Sequence, residues 1–130
     1  MRYLGIDYGG KRIGLAISDE EGKMAFPHGL ILNRGARPAI KEITSLVRKE
    51  KIAKIIIGLP VGLSGQETAQ TKSTRAFLKK LKHKIDLPVD GENEMLTTRM
   101  VEREGINKGH MDEAAAALIL QSYLDRQNKK

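Results

Sequence analysis

The chain contains no cysteine and no tryptophan among its 130 residues. The absence of cysteine excludes disulfide bonds, thiolate metal sites and a thiol nucleophile, and it fits a reducing compartment. Aromatic residues make up only 4% of the chain, so stacking on bases cannot be its main means of gripping a nucleic acid.

Long apolar runs are also missing. No stretch approaches the roughly 20 consecutive apolar residues that a membrane-spanning helix needs. The opening MRYLGIDYGG has an apolar stretch too short for a signal peptide, and Asp7 interrupts it. We therefore expect a cytoplasmic protein that does not engage a membrane. A phosphate loop of the form G-x-x-x-x-G-K-[ST] is absent too, and we expect no nucleotide cofactor.

Positive charge is the most prominent feature that is present. Lysine and arginine number 23 against 16 aspartates and glutamates, which gives a formal net charge of +7 and an isoelectric point near 9.7. Such an excess attracts polyanions such as nucleic acid, although charge alone does not identify the partner. The length suits one domain, which we expect to span residues 1–130.

Hydrophobic periodicity predicts the element order βββαβαβαα. The predicted strands are residues 2–8, 11–18, 23–32, 53–59 and 87–92, and the predicted helices are residues 38–51, 66–84, 97–104 and 110–127. Short turns join the first three strands into an antiparallel meander, and right-handed crossovers place the later strands parallel to the first. We expect an α/β fold of three layers, with a mixed five-stranded sheet and helices on both faces.

Residue patterns predict how the second strand and two of the helices are covered. The second strand carries large aliphatic residues on one face and Gly14, Ala16 and Ser18 on the other, so another backbone can come close to it and both of its faces should be covered. The helical stripe that begins at Asp112 continues through alanine and aliphatic residues and should face the sheet. For the helix over residues 66–84, the predicted inner stripe comprises Ala69, Ala76, Phe77, Leu78 and Leu81.

Three acidic residues are predicted to meet at one edge of the sheet. Asp7 ends the first strand, Glu94 follows the last strand and Asp112 begins the last helix. If the first and last strands flank a common neighbour and run parallel, their carboxyl ends share an edge. Clustered carboxylates need a compensating cation, and oxygen ligands suit Mg²⁺ or Mn²⁺. Two such ions together can activate a water and stabilise the leaving oxygen at a phosphodiester.

Ordinary structural roles remain open for the same residues. Asp7 could accept hydrogen bonds in the following glycine turn, and Asp112 could cap its own helix. Glu94 could be an exposed loop acid, and Asp90 and Glu92 compete with it for a role in a metal site.

Four ordered segments resemble the YqgF family, also called RuvX. These are GIDYGGKRIGLAISD (residues 5–19), IIIGLPVGLSGQET (55–68), NEMLTT (93–98) and HMDEAAAALIL (110–120). The resemblance spans nearly the whole chain. It implies an RNase H-like nuclease that processes the 5′ end of pre-16S rRNA in ribosome biogenesis, or one that resolves Holliday junctions in DNA recombination and repair.

The resemblance also implies site residues. The family's metal acids fall on Asp7, Glu94 and Asp112, which would make these residues catalytic. The resemblance further offers five nucleic-acid contacts: Lys11, Arg12, Arg75, Thr97 and Thr98. Solvated surface charge is the competing reading for the three basic residues, and capping of a short helix is the competing reading for the two threonines.

Two departures keep other functions open. Asn93 stands where the family usually has Asp, and Met95 stands where it has Arg. A non-catalytic nucleic-acid-binding protein on the same fold is therefore one alternative. A second is a nucleotide-binding module, because the opening strand and hairpin also resemble the actin, sugar kinase and chaperone ATPase superfamily.

Overall fold

The computed structural model describes residues 1–61, 65–94 and 111–129. Within them lie five strands and three helices: β1 Arg2–Tyr8, β2 Arg12–Ser18, β3 Ala25–Leu32, α1 Ala36–Glu50, β4 Ile52–Pro60, α2 Ala69–Lys84, β5 Val89–Glu94 and α3 Met111–Asn128. This order confirms the predicted one, except that the helix predicted over residues 97–104 lies outside the described residues. None of the described helices is both long enough and apolar enough to cross a membrane.

The sheet has the order β3-β2-β1-β4-β5. β1 pairs antiparallel with β2, and β2 pairs antiparallel with β3, so the first three strands form the predicted meander. β1 and β5 both pair parallel with β4 and lie on either side of it. The carboxyl ends of these three parallel strands therefore share one edge of the sheet, which is where sites form in such sheets.

Helices cover both faces of the sheet. On one face, α1 and α2 bury Ile43 and Phe77 against aliphatic residues of the strands, in the larger of two apolar clusters. On the other face, α3 buries Ala116 and Leu120 in the smaller cluster. Full burial of a large aliphatic or aromatic side chain contributes about 1.5–3 kcal/mol, so both helical layers are held mainly by these contacts.

The start and inner face of α2 differ from the prediction. The helix begins at Ala69 rather than residue 66, because Thr68 caps it: the Thr68 hydroxyl accepts from the Thr71 amide, and the Thr71 hydroxyl accepts from the Thr68 amide. Ala69 and Ala76 are exposed, so their assignment to the inner stripe is wrong. Thr71 and Thr74 are buried instead, together with the correctly predicted Phe77 and Leu81; Leu78 is partly buried.

The small-residue face of β2 is covered, as predicted, and the element that covers it is α3, which lies directly on the sheet. A Cβ atom placed on Gly14 would lie 1.9 Å from the backbone oxygen of Asp112, and one on Gly5 would lie 2.7 Å from the Cβ atom of Leu120. Only glycine permits these approaches, because no real Cβ contact is as short as either distance. The first turn of α3 is therefore positioned by the missing side chain of Gly14.

We expect Gly14→Ala to destabilise the protein by about 1–3 kcal/mol, because the new methyl group must push the backbone of α3 away from β2. Urea unfolding measures this change. Gly10→Ala is the matched control, because a Cβ atom there meets nothing within 4 Å and the residue is exposed. Equal stability of the two variants would show that α3 does not depend on close approach at Gly14.

Candidate functional site

Asp7 is brought to Asp112 by the pairing of β1 with β2. Asp7 lies next to the end of β1 and is directly opposite Gly14 in the register of the two strands. Because Gly14 has no side chain, the first turn of α3 lies over this position and carries Asp112 with it. Two of the three predicted acids, remote in sequence, are therefore neighbours in the structure.

The electrostatics of Asp7 reflect this arrangement. Burial and the negative charge of Asp112 together raise its pKa from the ordinary value of 3.8 to about 6. Burial is the larger of the two causes. An aspartate with this pKa is ionised at neutral pH only against both desolvation and a like charge, so a cation at this point would stabilise it.

Arg12 is the one cation that the described residues place against this pair. Its Nε atom lies 3.0 Å from Oδ2 of Asp112, and its side chain is 54% exposed. The contact is an ion pair but not a hydrogen bond. The Oδ2 atom of Asp112, which is buried, therefore has no hydrogen-bond partner among the described residues. A buried carboxylate oxygen in this state has an unfilled place for a donor or a cation.

These features fit a divalent metal ion. The site offers two neighbouring carboxylates, one with an unsatisfied buried oxygen and one with a raised pKa, and hard cations prefer such oxygen donors. Among the described residues, no group of three histidine, cysteine or acidic side chains could hold a metal. The third predicted ligand, Glu94, is described only in its backbone, which ends β5 opposite Pro60 of β4.

The two acids that compete with Glu94 on β5 have other partners. Asp90 forms an ion pair with Lys54, with Oδ2 and Nζ 2.7 Å apart. Glu92 is 3% exposed and pairs with Arg126 of α3, which compensates its buried charge. Both acids are thus committed to holding β5 against β4 and α3.

The structure describes three of the five predicted nucleic-acid contacts. Lys11 is exposed at the tip of the hairpin that joins β1 and β2, beside Arg12. Arg75 lies on α2 and forms an ion pair with Glu67. Thr97 and Thr98 lie outside the described residues. Of the three described members of this set, Arg12 contacts Asp112 directly, and Lys11 precedes it in the chain.

Two positioning residues were missed by the sequence analysis. Asn33, just after β3, donates from Nδ2 to the carbonyl of Gly9 at 2.8 Å, and its amide donates to the carbonyl of Lys11 at 2.9 Å. It thereby fixes the hairpin that carries Arg12. Thr71 donates from its hydroxyl to the carbonyl of Pro60 and fixes the end of β4. The sequence contains a signal for each residue. Asn33 lies two residues before Gly35, which is typical of a turn, and Thr71 lies three residues after Thr68, which is the spacing of a helix cap.

The raised pKa of Asp7 predicts a pH-dependent effect of Asp7→Asn on metal-free protein. The folded state holds this proton more tightly than the unfolded state does, so the free energy of unfolding falls as pH rises from about 4 to about 6. Above that range ionised Asp7 destabilises the fold, and the variant removes this cost. We expect Asp7→Asn to stabilise the protein by up to about 3 kcal/mol at pH 8 and by much less at pH 4.

Urea unfolding in the presence of a chelator measures this difference at the two pH values. Asp86→Asn is the control, because Asp86 is exposed and its replacement should have a small effect at both. If Asp7→Asn increases the free energy of unfolding by the same amount at pH 4 and pH 8, the pKa of Asp7 is not raised and the prediction is contradicted.

Comparison with known proteins agrees with this geometry. A family model described as "RuvX: Holliday junction resolvase" matches residues 1–126. The chain is 37% identical to a protein of Maridesulfovibrio salexigens, over 97% of this chain and 99% of the relative, and 41% identical to one of Syntrophus aciditrophicus, over 96% and 89%. Each relative is named "Putative pre-16S rRNA nuclease".

A solved structure shares the fold at low sequence identity. RuvC of T. thermophilus, solved in complex with a Holliday junction substrate, superposes with a TM-score of 0.63 at 13% identity, covering 98% of this chain and 96% of that one. The likeness confirms the RNase H-like architecture of a mixed sheet between helical layers. Nucleases with this architecture generally depend on divalent metal ions. The family model matches almost the whole chain, and the two relatives are matched over most of their own length as well. The chain therefore belongs to the RuvX family of nucleases.

Proposed function

We propose that this chain is a metal-dependent nuclease that hydrolyses phosphodiester bonds in structured nucleic acid, with Asp7, Glu94 and Asp112 as its metal-holding carboxylates. The observation that carries the proposal is the meeting of Asp7 and Asp112 over Gly14, with an unsatisfied buried oxygen on Asp112. Glu94 is included because its backbone ends β5 at the sheet edge where Asp7 lies, while Asp90 and Glu92 are engaged with Lys54 and Arg126.

The carboxylates would hold Mg²⁺ or Mn²⁺, most simply two ions. Bound there, the metal supplies an activated water and stabilises charge on the phosphate and the leaving oxygen. Asp7 needs such a partner most, because burial and Asp112 both oppose its ionisation. Arg12 and Lys11 lie at the adjacent hairpin and would orient the phosphate backbone, and Arg12 also balances the charge of Asp112 until substrate arrives.

We propose that the substrate is the 5′ end of pre-16S rRNA, processed during ribosome biogenesis in the cytoplasm. The names of the two relatives, which match this chain over nearly its full length, support this choice. A Holliday junction is the second candidate, supported by the description of the family and by the junction bound to the RuvC structure. Metal-assisted hydrolysis by these carboxylates does not require a 2′-hydroxyl group, so the same chemistry serves either polymer.

A catalytic role is favoured over simple binding. The departures at Asn93 and Met95 affect the neighbours of Glu94, whereas Asp7 and Asp112 retain their acids and their proximity. A protein that only bound nucleic acid would gain nothing from burying two neighbouring carboxylates, since they repel phosphate and destabilise the fold.

We expect Asp7→Asn to reduce cleavage of structured RNA or a four-way DNA junction in Mg²⁺ or Mn²⁺ by at least about a thousandfold, since a bound metal contributes several kcal/mol to the barrier. Affinity for the same substrate, measured in chelator, should stay the same or increase, because a negative charge is removed. Asp86→Asn is the control and should cleave normally. Cleavage by Asp7→Asn at the wild-type rate would rule out the proposed site.

If pre-16S rRNA is the substrate, the protein should cleave it in preference to a DNA junction, and a competition assay measures this preference. In one tube with both substrates, labelled differently, we expect higher kcat/KM for a pre-16S 5′ leader joined to the mature sequence than for a four-way DNA junction. Mapping the new ends at nucleotide resolution identifies the cleavage position. Faster, symmetrical cleavage of the junction would assign the protein to the second candidate function.

A further inference from the structure

The positive charge of the chain is concentrated on the face opposite the carboxylates. α2 has six basic residues and no acidic one among its 16 residues, and α1 has four basic residues against two glutamates. These two helices therefore carry a surplus of eight positive charges, which exceeds the net charge of the entire chain, +7. Both pack on the sheet face that α3 does not cover.

A groove between α1 and α2 gathers five of these cations. It has a volume of about 650 Å³ and is lined by Arg37, Lys41 and Arg48 of α1 and by Lys80 and Lys84 of α2. Among the described residues, none of the five forms an ion pair. The lining contains no acidic side chain, and the hydroxyl-bearing Thr44 and Ser45 lie between the cations.

The spacing of these cations suits a nucleic-acid backbone. Arg37, Lys41 and Arg48 follow one stripe of α1 that extends about 16 Å at a rise of 1.5 Å per residue. That length corresponds to the rise of about five base pairs along the axis of a duplex, at 3.4 Å each. Lys80 and Lys84, one turn apart, face the same groove from α2.

The groove is less suited to a lipid surface. Membrane-binding helices combine cations with exposed large apolar side chains that enter the lipid. Among the described residues, the large exposed apolar side chains are Met1, Met24, Phe26, Leu30 and Leu32, and none of them is on α1 or α2.

We propose that the groove between α1 and α2 is a second nucleic-acid-binding surface, which holds the phosphate backbone of a segment remote from the cleaved bond. The sheet separates it from Asp7 and Asp112, so a straight duplex on the α3 side cannot occupy both. A branched or folded nucleic acid reaches the two surfaces with different arms. Only this assignment to separate arms rests on the proposed function; binding of the backbone by the groove does not.

The test compares two double variants with the same net charge. Lys80→Gln with Lys84→Gln removes two groove cations, whereas Lys79→Gln with Lys82→Gln removes two exposed cations from the other side of the same helix. Affinity for a four-way DNA junction is measured by fluorescence anisotropy in EDTA over a series of salt concentrations. Because cleavage is not measured, an inactive protein would not affect the outcome.

We expect the groove variant to lose at least about fivefold in affinity at 100 mM salt, and its slope of log affinity against log salt to fall by about two. The control should change less than twofold. Equal losses in the two variants would indicate diffuse attraction and overturn the proposal. So would unchanged junction binding by the groove variant together with a loss of its binding to vesicles containing phosphatidylserine.

The absence of cysteine allows a positional readout as well. Ser45→Cys places a unique thiol in the groove, and Glu42→Cys places one on α1 outside it. With a short photo-crosslinker attached, we expect the junction to crosslink to the first variant much more strongly than to the second. Equal crosslinking would overturn the proposal, even if the anisotropy results agreed with it.

Discussion

The close approach of α3 to β2 at Gly14 is the constraint on which the site depends. Without a side chain at Gly14, the first turn of α3 lies against the strand that pairs with β1, and Asp112 arrives beside Asp7. Placing the two carboxylates side by side is unfavourable when no cation compensates them, since burial and like charge raise the pKa of Asp7 to about 6. The apolar contacts of α3 with the sheet must outweigh that cost, and Ala116 and Leu120 supply them one and two turns away.

Among the described residues, Arg12 is the cation that partly compensates the two acids. It balances the charge of Asp112 at 3.0 Å, yet it leaves the buried Oδ2 atom without a hydrogen bond and keeps half of its own side chain in solvent. A tighter, fully hydrogen-bonded pair would compete with a metal for the same oxygen. The loose pair is thus compatible with two tasks: compensation of the acid and contact with a phosphate.

Sequence patterns predicted those features that depend on residue type at regular spacing. The buried run of β4, the small face of β2 and the alanine stripe of α3 all reflect this kind of regularity. The prediction is wrong at α2, where it assigns alanines to the inner face; Thr71 is buried there instead, and its hydroxyl donates to the carbonyl of Pro60. The ion pair of Arg12 with Asp112 and the groove between α1 and α2 depend on how distant elements pack, and no local pattern specifies that.

The placement of the acids and of the cationic groove on opposite faces of the sheet follows from the chemistry that the carboxylates are proposed to perform. Acids that hold a metal also repel the phosphates of the substrate, and a metal ion compensates them only locally, because screening limits such fields to about 8 Å at physiological salt. Arg12 lies within that range of Asp112 and, with Lys11 beside it in the chain, would orient one phosphate. Affinity for a long polyanion needs more cations than the described residues place at this edge, and an excess of them beside the acids would compete with the metal. Concentrating cations on α1 and α2, behind the sheet, would separate binding from metal chemistry and would favour substrates that bend or branch around the protein.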